Sequence, residues 1–398
     1  MLLYFKTRNN LSYKEEVGFS MVAGIYSDHL DRNTIELERY KIRILKTAVI
    51  YGQNASGKSN LLKAITNGII FLQNSFRESP SQNLPFFYNL NDRRNQKEPT
   101  SYVYGILVDG IHFEYSFSFD SERIVEEQLL EYKTQRPIQH FYRTYNSEIK
   151  SYDWSFSSHF TGKKETVRDI TNQYTLYLTI GAQTELPVAT KVLNWFRNDI
   201  VWSMDFDSPG NLSPDYTLRR IKNNPALKEG VMNFLKEADF TIVDLVIKET
   251  KEGTIRGATV HKTVDLDGNE SYMEFDLTYE SAGTNRFIAW IGVWIDVLEK
   301  GLTLLIDELG NSMHTLLSKH LVSEFHTIEN KGGQLIFTTH DTNLMTQEIF
   351  RRDQIWIVDR DKLGNSLLYP MSDFKIKKGK VLENSYLQGT YGGIPHIS

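Results

Sequence analysis

Residues 52–59 have the types and spacing of a phosphate-binding loop. They read Gly-Gln-Asn-Ala-Ser-Gly-Lys-Ser, which is the Walker A or P-loop pattern G-x-x-x-x-G-K-[ST]. In this pattern the glycines let backbone N–H groups turn around a β-phosphate, the lysine reaches the β- and γ-phosphate oxygens, and the last hydroxyl holds Mg²⁺. The residues for which we predict nucleotide contacts are Gly52, Asn54, Gly57, Lys58, Ser59 and Asn60.

The segments on both sides of this loop fit the assignment. Residues 48–51 are apolar and predict a buried strand, and residues 59–65 have the pattern of an amphipathic helix, which we expect to run to about Phe76. A phosphate-binding loop needs this strand–loop–helix order, because the helix N-terminus adds the positive end of its dipole.

A second apolar segment, residues 303–306, ends in two carboxylates, Asp307 and Glu308. Downstream of a P-loop, this is the pattern of a Walker B strand. We predict that Asp307 holds Mg²⁺ through water, beside Ser59, and that Glu308 orients and deprotonates the attacking water. The structural alternative is an acidic pair at an ordinary strand end.

Two further positions could contact phosphate. His340 follows the apolar segment 334–339, where it could report the presence of a γ-phosphate. Ser281 and Gly283 precede an apolar helix predicted over residues 287–298, and a serine and a glycine at a helix N-terminus make an anion site. For Ser281 the alternative is a plain helix cap.

Composition narrows the class of protein. The 398 residues are 40% hydrophobic, enough for a large core, and their formal net charge of −5 provides no global attraction to nucleic acid. Because there is no cysteine, disulfides, thiolate metal sites and a cysteine nucleophile are excluded. No uncharged run approaches membrane-spanning length, so we expect a cytoplasmic globular protein.

The pattern along the chain predicts an α/β fold. An Asp109-Gly110 turn between alternating segments predicts a hairpin, residues 133–172 show little pattern, and residues 174–180 favour a strand. Residues 187–245 look mainly helical but too interrupted for a coiled coil, and residues 243–279 return to strands. We predict a nucleotide-binding core with a mixed sheet and an attached antiparallel sheet, built from residues 1–185 and 246–398, and an inserted helical lobe, residues 186–245.

The order of these motifs resembles that of the ABC-type ATPases, in the branch that contains the structural-maintenance and double-strand-break-repair head domains. Residues 281–284 stand where such proteins carry their LSGGQ-like signature, although the leading leucine and second glycine are missing. The resemblance implies that ATP and Mg²⁺ are bound between two heads, in a homodimer or a higher even oligomer. It also implies that Gln183 is a Q-loop glutamine contacting Mg²⁺, that Asn311 and Ser312 form the D-loop, and that His340 is the switch histidine.

Residues 308–314, 352–356, 368–374 and 386–395 look like those of the compact prokaryotic ABC-class ATPases of the RloA and AbiL type. This resemblance implies a role in anti-phage defence, of the abortive-infection or toxin–antitoxin kind. The partner would be an effector encoded by a neighbouring gene, often a Toprim-type nuclease, and a phage protein or DNA would be the trigger.

Four alternatives stay open at this stage. The chain could be a DNA-repair or SMC-like ATPase acting directly on DNA, or the nucleotide-binding subunit of a transporter. The D-x-D of residues 359–361 could belong to a nuclease site, although a turn follows it directly. DNA sensing would use short basic runs, which are Arg93-Arg94, Arg219-Arg220 and residues 375–380.

Overall fold

The structure, a computed structural model, describes residues 1–77, 84–134, 136–203, 213–238, 241–249, 253–310, 314–330, 332–375 and 382–394. The strands of these residues are, in chain order, β1 (Leu2–Arg8), β2 (Val17–Ser20), β3 (Thr34–Leu37), β4 (Ile42–Leu45), β5 (Thr47–Tyr51), β6 (Thr100–Val108), β7 (Ile111–Phe119), β8 (Ile124–Tyr132), β9 (Ile138–Asn146), β10 (Ser151–Phe156), β11 (Ile200–Ser203), β12 (Ile242–Glu249), β13 (Ile255–Val264), β14 (Glu270–Asp276), β15 (Thr303–Ile306), β16 (Gln334–Thr338), β17 (Ile355–Arg360) and β18 (Ser366–Pro370). The helices are α1 (Leu30–Asn33), α2 (Lys58–Asn74), α3 (Lys164–Ile170), α4 (Tyr177–Gln183), α5 (Pro187–Asn198), α6 (Pro214–Asn223), α7 (Leu227–Ala238), α8 (Ala282–Lys300), α9 (Thr315–Phe325) and α10 (Leu382–Leu387).

A mixed sheet carries the sequence motifs. Its strand order is β11-β15-β16-β5-β17-β18, in which the first five strands are parallel and β18 is antiparallel. Alternate residues of these strands enter two different hydrophobic clusters, so that both faces of the sheet are covered. Burial on both faces explains why these strands read as continuous apolar runs.

A second sheet is antiparallel, with the order β10-β9-β8-β7-β6-β1-β2. The apolar face of α2 packs in the same hydrophobic cluster as this sheet and one face of the mixed sheet, so that the helix lies between them. Asp109 and Gly110 join β6 to β7 with φ values of 47° and 73°, the positive values that a tight type I′ hairpin turn requires. The predicted hairpin and the attached antiparallel sheet are therefore confirmed.

Smaller units complete the α/β fold. Strands β12, β13 and β14 form a three-stranded antiparallel sheet, and β3 pairs with β4. Helix α8 packs against α6 and α7, and the Trp294 indole N–H donates to the Leu321 carbonyl of α9 at 3.1 Å. Among the described residues, the helices include none that is long and apolar enough to cross a membrane.

The prediction of a strand over residues 174–180 is wrong, because residues 177–183 form helix α4. The Glu127 carboxylate accepts hydrogen bonds from the N–H groups of Tyr177 (2.8 Å) and Leu178 (2.9 Å), and Arg143 holds this carboxylate in a buried ion pair at 2.7 Å. An acceptor fifty residues away in the chain thus satisfies the free donors of the helix N-terminus. Local propensity, which favoured a strand, is overridden by this tertiary contact.

Two other stretches also differ from expectation. Residues 133–172 contain β9, β10 and α3, although we found little pattern in their sequence. The alternation of Tyr152, Trp154 and Phe156, which face inward from β10, was the overlooked sign.

The segment 187–245 contains β11 as well as helices, and β11 is an edge strand of the mixed sheet. Helix α5 packs in the cluster of the antiparallel sheet, whereas α6 and α7 pack in the cluster of α8. The segment is thus mainly helical, as predicted, although its helices pack in two different clusters. The domain boundaries at residues 186 and 245 stay a prediction.

Candidate functional site

The phosphate loop connects β5 to α2, as the motif predicts. All five residues of β5 are buried, and α2 starts at Lys58 after Gly57, whose φ is 112°. A Cβ atom at Gly57 would lie 2.1 Å from Ser366 Oγ, and one at Gly52 would lie 2.3 Å from the Val358 carbonyl oxygen. Both glycines are thus required by close approach to β17 and β18, apart from any ligand.

Lys58 lies inside this loop. Its Nζ donates to the carbonyl oxygens of Gly52 (2.8 Å) and Gln53 (3.1 Å), and only 6% of the residue is exposed. Burial lowers the pKa of Lys58 to about 8, although Asp307 and Glu308 act in the opposite direction. The ammonium group is therefore poorly solvated and can exchange its carbonyl partners for phosphate oxygens.

Contacts from distant segments hold the loop from outside. The Ser366 hydroxyl donates to the Ser56 carbonyl at 2.5 Å and also contacts the Ser12 hydroxyl at 2.7 Å. The Tyr13 hydroxyl donates to the Gly57 carbonyl at 3.0 Å, and the Arg360 guanidinium donates to the Ala55 carbonyl. The sequence analysis missed these supporting residues, because neither spacing nor residue type links them to the loop.

The carboxyl edge of the mixed sheet brings the other motifs to the loop. Strand β16 pairs with both β15 and β5, so that Asp307, His340 and the loop all follow neighbouring parallel strands. The Thr338 hydroxyl donates to the Asp307 carboxylate at 2.6 Å and accepts the Glu308 N–H at 2.8 Å. Thr338, which the sequence analysis also missed, thus holds the Asp307 carboxylate and the backbone of Glu308 in place.

His340 and Glu308 are exposed at this edge. Partial burial and the charge of Lys58 lower the pKa of His340, whereas Glu308 and Asp307 raise it. These effects place His340 within electrostatic reach of Lys58 and both carboxylates. Asn54 is exposed at the tip of the loop, and Ser59 and Asn60 are half-buried on the first turn of α2.

A comparison with protein families identifies the class of this site. The model of the family described as "AAA domain, putative AbiEii toxin, Type IV TA system" matches residues 48–346, which is more than half of the chain. The chain belongs to this family. The matched range includes the phosphate loop, both carboxylates and His340, so that the motifs described above are those of an AAA-domain P-loop ATPase.

Two solved structures are similar to this AAA-domain chain. One is titled "SMC head domain from Thermotoga maritima", with 13% identity, a TM-score of 0.40, and coverage of 94% of this chain and 99% of that chain. The other is titled "Crystal structure of the SmcHead bound to the C-winged helix domain of ScpA", with 11% identity, a TM-score of 0.42, and coverage of 93% and 97%. No curated protein matches the chain.

Gln183 does not lie at the phosphate loop of the AAA domain. The Thr179 hydroxyl of α4 donates to the Leu72 carbonyl at 2.7 Å, and Leu72 is 14 residues along α2 from Lys58. At about 1.5 Å per residue, this contact lies roughly 21 Å from the loop. Gln183, four residues beyond Thr179, belongs to the opposite end of α2, so its predicted contact with Mg²⁺ is wrong.

The strand whose carboxyl end does lie beside the Walker B residues is β11. The Asp307 N–H donates to the Ser203 carbonyl at 3.0 Å. The residues that follow Ser203, 204–212, lie outside the described residues. So do Asn311 and Ser312, the predicted D-loop positions.

Ser281 and Gly283 begin α8, as predicted. The Ser281 hydroxyl accepts the Thr284 N–H at 3.0 Å, and Ser281 is exposed. Next to it, the half-buried Glu280, whose side chain is 8% exposed, contacts His261 Nε2 at 2.6 Å. The cap that was the structural alternative is thus present, and it leaves the exposed N-terminus of a 19-residue helix facing outward.

Some candidate groups are already engaged in local contacts. Arg94 pairs with Asp92 at 2.6 Å, and Arg220 pairs with Asp296. The Asp361 carboxylate accepts the N–H groups of Leu363 and Asn365, both at 2.8 Å, which are ordinary turn contacts. These contacts favour a structural role for all three residues. Of the run 375–380, only Lys375 is among the described residues.

Proposed function

We propose that this AAA-domain protein binds and hydrolyses ATP with Mg²⁺. The observation that supports the proposal is the convergence of Lys58, Asp307, Glu308 and His340 at one sheet edge, where the neighbouring parallel strands β5, β16 and β15 end. The backbone N–H groups of the loop and Lys58 would hold the β- and γ-phosphates. Glu308 would orient the attacking water and take its proton.

The residues at this edge fit a magnesium ion. Ser59 offers a hydroxyl on the first turn of α2, and Asp307 offers a half-buried carboxylate that Thr338 holds in place. Oxygen ligands of this kind are those that Mg²⁺ prefers, usually together with water and phosphate. When bound, the ion would neutralise charge on the phosphate oxygens. His340 would contact the γ-phosphate.

We further propose that ATP drives two such chains together and that the closed dimer holds or releases a partner effector in anti-phage defence. The exposed start of α8 supports this, because Ser281 and Gly283 present helix N–H groups that a second chain's nucleotide could use. The family description, which mentions a toxin and a type IV TA system, supports a defence role. ATP would thus bias a two-state assembly.

The native mass of the protein with and without ATP tests this function. We expect Glu308→Gln to bind ATP, to stop turning it over and to accumulate as a dimer or higher even oligomer. Glu329→Gln, which changes another exposed glutamate, is the matched control. The same measurement after co-expression with the neighbouring gene's product reports whether an effector is bound.

Two outcomes would change the proposal. Equal ATP turnover in the wild type and Glu308→Gln would contradict the assignment of the base. A mass that never changes, together with hydrolysis stimulated by DNA alone, would instead favour an ATPase that acts directly on DNA.

A further inference from the structure

The backbone of Glu308 has an unusual conformation. Its φ value is 56°, in the left-handed region that residues with a Cβ atom rarely adopt. Such a conformation is unfavourable, and it persists only where the surrounding structure holds it. Strand β15 ends two residues earlier, at Ile306, and Glu308 is exposed at the edge of the sheet. The contacts that hold this conformation therefore bear directly on the predicted catalytic base.

Two hydrogen bonds to Thr338 hold the peptide groups on both sides of the Glu308 Cα atom. The Thr338 hydroxyl accepts the Glu308 N–H at 2.8 Å, and the Thr338 carbonyl accepts the Leu309 N–H at 2.9 Å. The Thr339 hydroxyl, in turn, donates to the Leu309 carbonyl at 2.9 Å. Because the two peptide groups next to a Cα atom set its φ and ψ, these contacts fix the backbone of Glu308. Thr338 is fully buried, so that water does not compete for these bonds.

The register of the sheet explains why a threonine can make these contacts. Ile306 of β15 lies opposite Phe337 of β16, so that the next residues, Asp307 and Thr338, also lie side by side. The Thr338 hydroxyl donates to the Asp307 carboxylate at 2.6 Å while it accepts the Glu308 N–H. A hydroxyl can donate and accept at once, whereas a valine side chain of similar shape can do neither. The branched side chain also restricts the rotamer, and with it the direction of the hydroxyl.

Asp307 has a second anchor that does not involve Thr338. Its N–H donates to the Ser203 carbonyl of β11 at 3.0 Å, which holds the Asp307 backbone in the sheet. The phosphate loop is likewise held by other segments, through Tyr13 and Ser366. Loss of the Thr338 hydroxyl should therefore change the backbone of Glu308 more than that of Asp307 or of the loop.

We propose that Thr338 is a positioning residue for ATP hydrolysis. In this role, which rests on the proposed function, its hydroxyl keeps Glu308 in the left-handed conformation from which the carboxylate orients the attacking water. Without the hydroxyl, the Glu308 backbone can relax toward an extended conformation, and the carboxylate then moves away from the water. Hydrolysis should therefore depend on Thr338, whereas binding of ATP to the loop should not.

Removal and restoration of the hydroxyl test this role in the full-length protein. In Thr338→Val, we expect the rate of hydrolysis at saturating ATP to fall roughly 10- to 100-fold, as a small displacement of a catalytic group does. The dissociation constant for ATP with Mg²⁺, from calorimetric titration, should stay unchanged, and Thr338→Ser should restore most of the rate. Thr303→Val is the matched control and should change neither quantity. It removes another buried hydroxyl, one that donates to the Gln334 side chain at 2.9 Å at the opposite end of β15.

Hydrolysis at the wild-type rate by Thr338→Val would overturn the role of Thr338 while the proposed function stands. Loss of ATP binding together with hydrolysis, or an equally slow Thr303→Val protein, would also overturn it, since either result indicates a general structural role. A rate in Thr338→Val that returns at high Mg²⁺ concentration would do the same, because it would assign the effect to the Asp307 carboxylate. Hydrolysis at the wild-type rate by Glu308→Gln would instead contradict the proposed function itself.

Melting temperatures test the conformation of Glu308 without ATP. Because glycine adopts positive φ values at no steric cost, Glu308→Gly should melt about 1–2 °C higher than Glu308→Ala. The same pair is then compared in proteins that also carry Thr338→Val or Thr338→Ser. We expect the difference to shrink with Thr338→Val, in which the left-handed conformation is no longer held, and to persist with Thr338→Ser. An unchanged difference with Thr338→Val would overturn the role of the hydroxyl, whatever the outcome for ATP hydrolysis.

Discussion

The phosphate loop and the start of α8 both place serine and glycine at a helix N-terminus, yet they are built differently. The loop encloses Lys58, and Ser12, Tyr13 and Ser366 hold it from outside. At α8, by contrast, Ser281 is exposed and its hydroxyl caps its own helix. The first site lies within one chain, whereas the second is exposed, and it is the site that we propose meets a second chain.

The sheets that support the two helix N-termini differ as well. Behind the phosphate loop are the strands of the mixed sheet, whose carboxyl ends carry Asp307 and Glu308. At the start of α8, the half-buried Glu280 contacts His261 of the small three-stranded sheet at 2.6 Å. The start of α8 is therefore anchored to a different sheet from the one that carries the loop.

Lys58→Ala should produce the largest difference between the two regions. Since a hydrogen bond to a charged group contributes about 1.5–3 kcal/mol, we expect ATP binding by the isolated chain to weaken roughly 10- to 100-fold. Ser281→Ala should leave this binding unchanged. Lys63→Ala, on the exposed face of the same helix, is the control for the lost charge, and calorimetric titration is the measurement. Equal losses of ATP binding in Lys58→Ala and Ser281→Ala would place both residues in one intramolecular site. That result would contradict the difference we infer between the loop and the start of α8.

Mixing two defective proteins tests whether the start of α8 acts on another chain. One protein carries Lys58→Ala and the other carries Ser281→Ala, and ATP hydrolysis is measured over a range of mixing ratios. Because one interface of the mixed dimer would combine an intact loop with an intact α8 start, we expect part of the wild-type rate to return. No recovery at any ratio would mean that each chain completes its own site.

The sequence predicted the loop far better than it predicted the surroundings of the loop. The local apolar pattern and the order of the motifs predicted strands β5, β15 and β16 and helix α2. A parallel strand that is buried on both faces is recognisable in the sequence as a continuous apolar segment. The role of Ser12 and Ser366 cannot be recognised in this way, because it depends on contacts between residues more than 300 positions apart in the chain.

The incorrect predictions have a common physical cause. Helix α4 depends on Glu127, and β11, which the sequence analysis did not predict, is a four-residue strand that pairs with the Walker B strand β15. In both places, contacts with residues distant in the chain determine the secondary structure of a short segment. The residues of that segment, taken alone, do not distinguish a helix from a strand. The assignment of Gln183 failed because it rested on the wrong element at residues 174–180, so that the error in secondary structure became an error in the site.

The pH dependence of ATP binding is a finer test of the buried lysine. Burial lowers the pKa of Lys58 to about 8 in the free protein. Below that pH the ammonium form is already present, so affinity should be flat; above it, binding must first take up a proton, and affinity should fall by up to about tenfold per pH unit. Lys58→Arg, charged throughout this range, is the control. An equal fall in that variant would assign the titration to another group.

The smallest expected effect is on stability, and it concerns the cap of α8. Ser281→Ala removes the hydroxyl that accepts the Thr284 N–H, and loss of such a cap costs about 1 kcal/mol of the free energy of unfolding. Ser281→Asp keeps an acceptor at this position and should retain most of the stability in urea denaturation. If Ser281 acts only as a cap, hydrolysis by the Ser281→Asp protein should match that of the wild type. If the start of α8 also receives a second chain's phosphates, the added carboxylate should repel them, so that Ser281→Asp is stable yet inactive. That combination separates the structural role of this serine from its proposed role in trans.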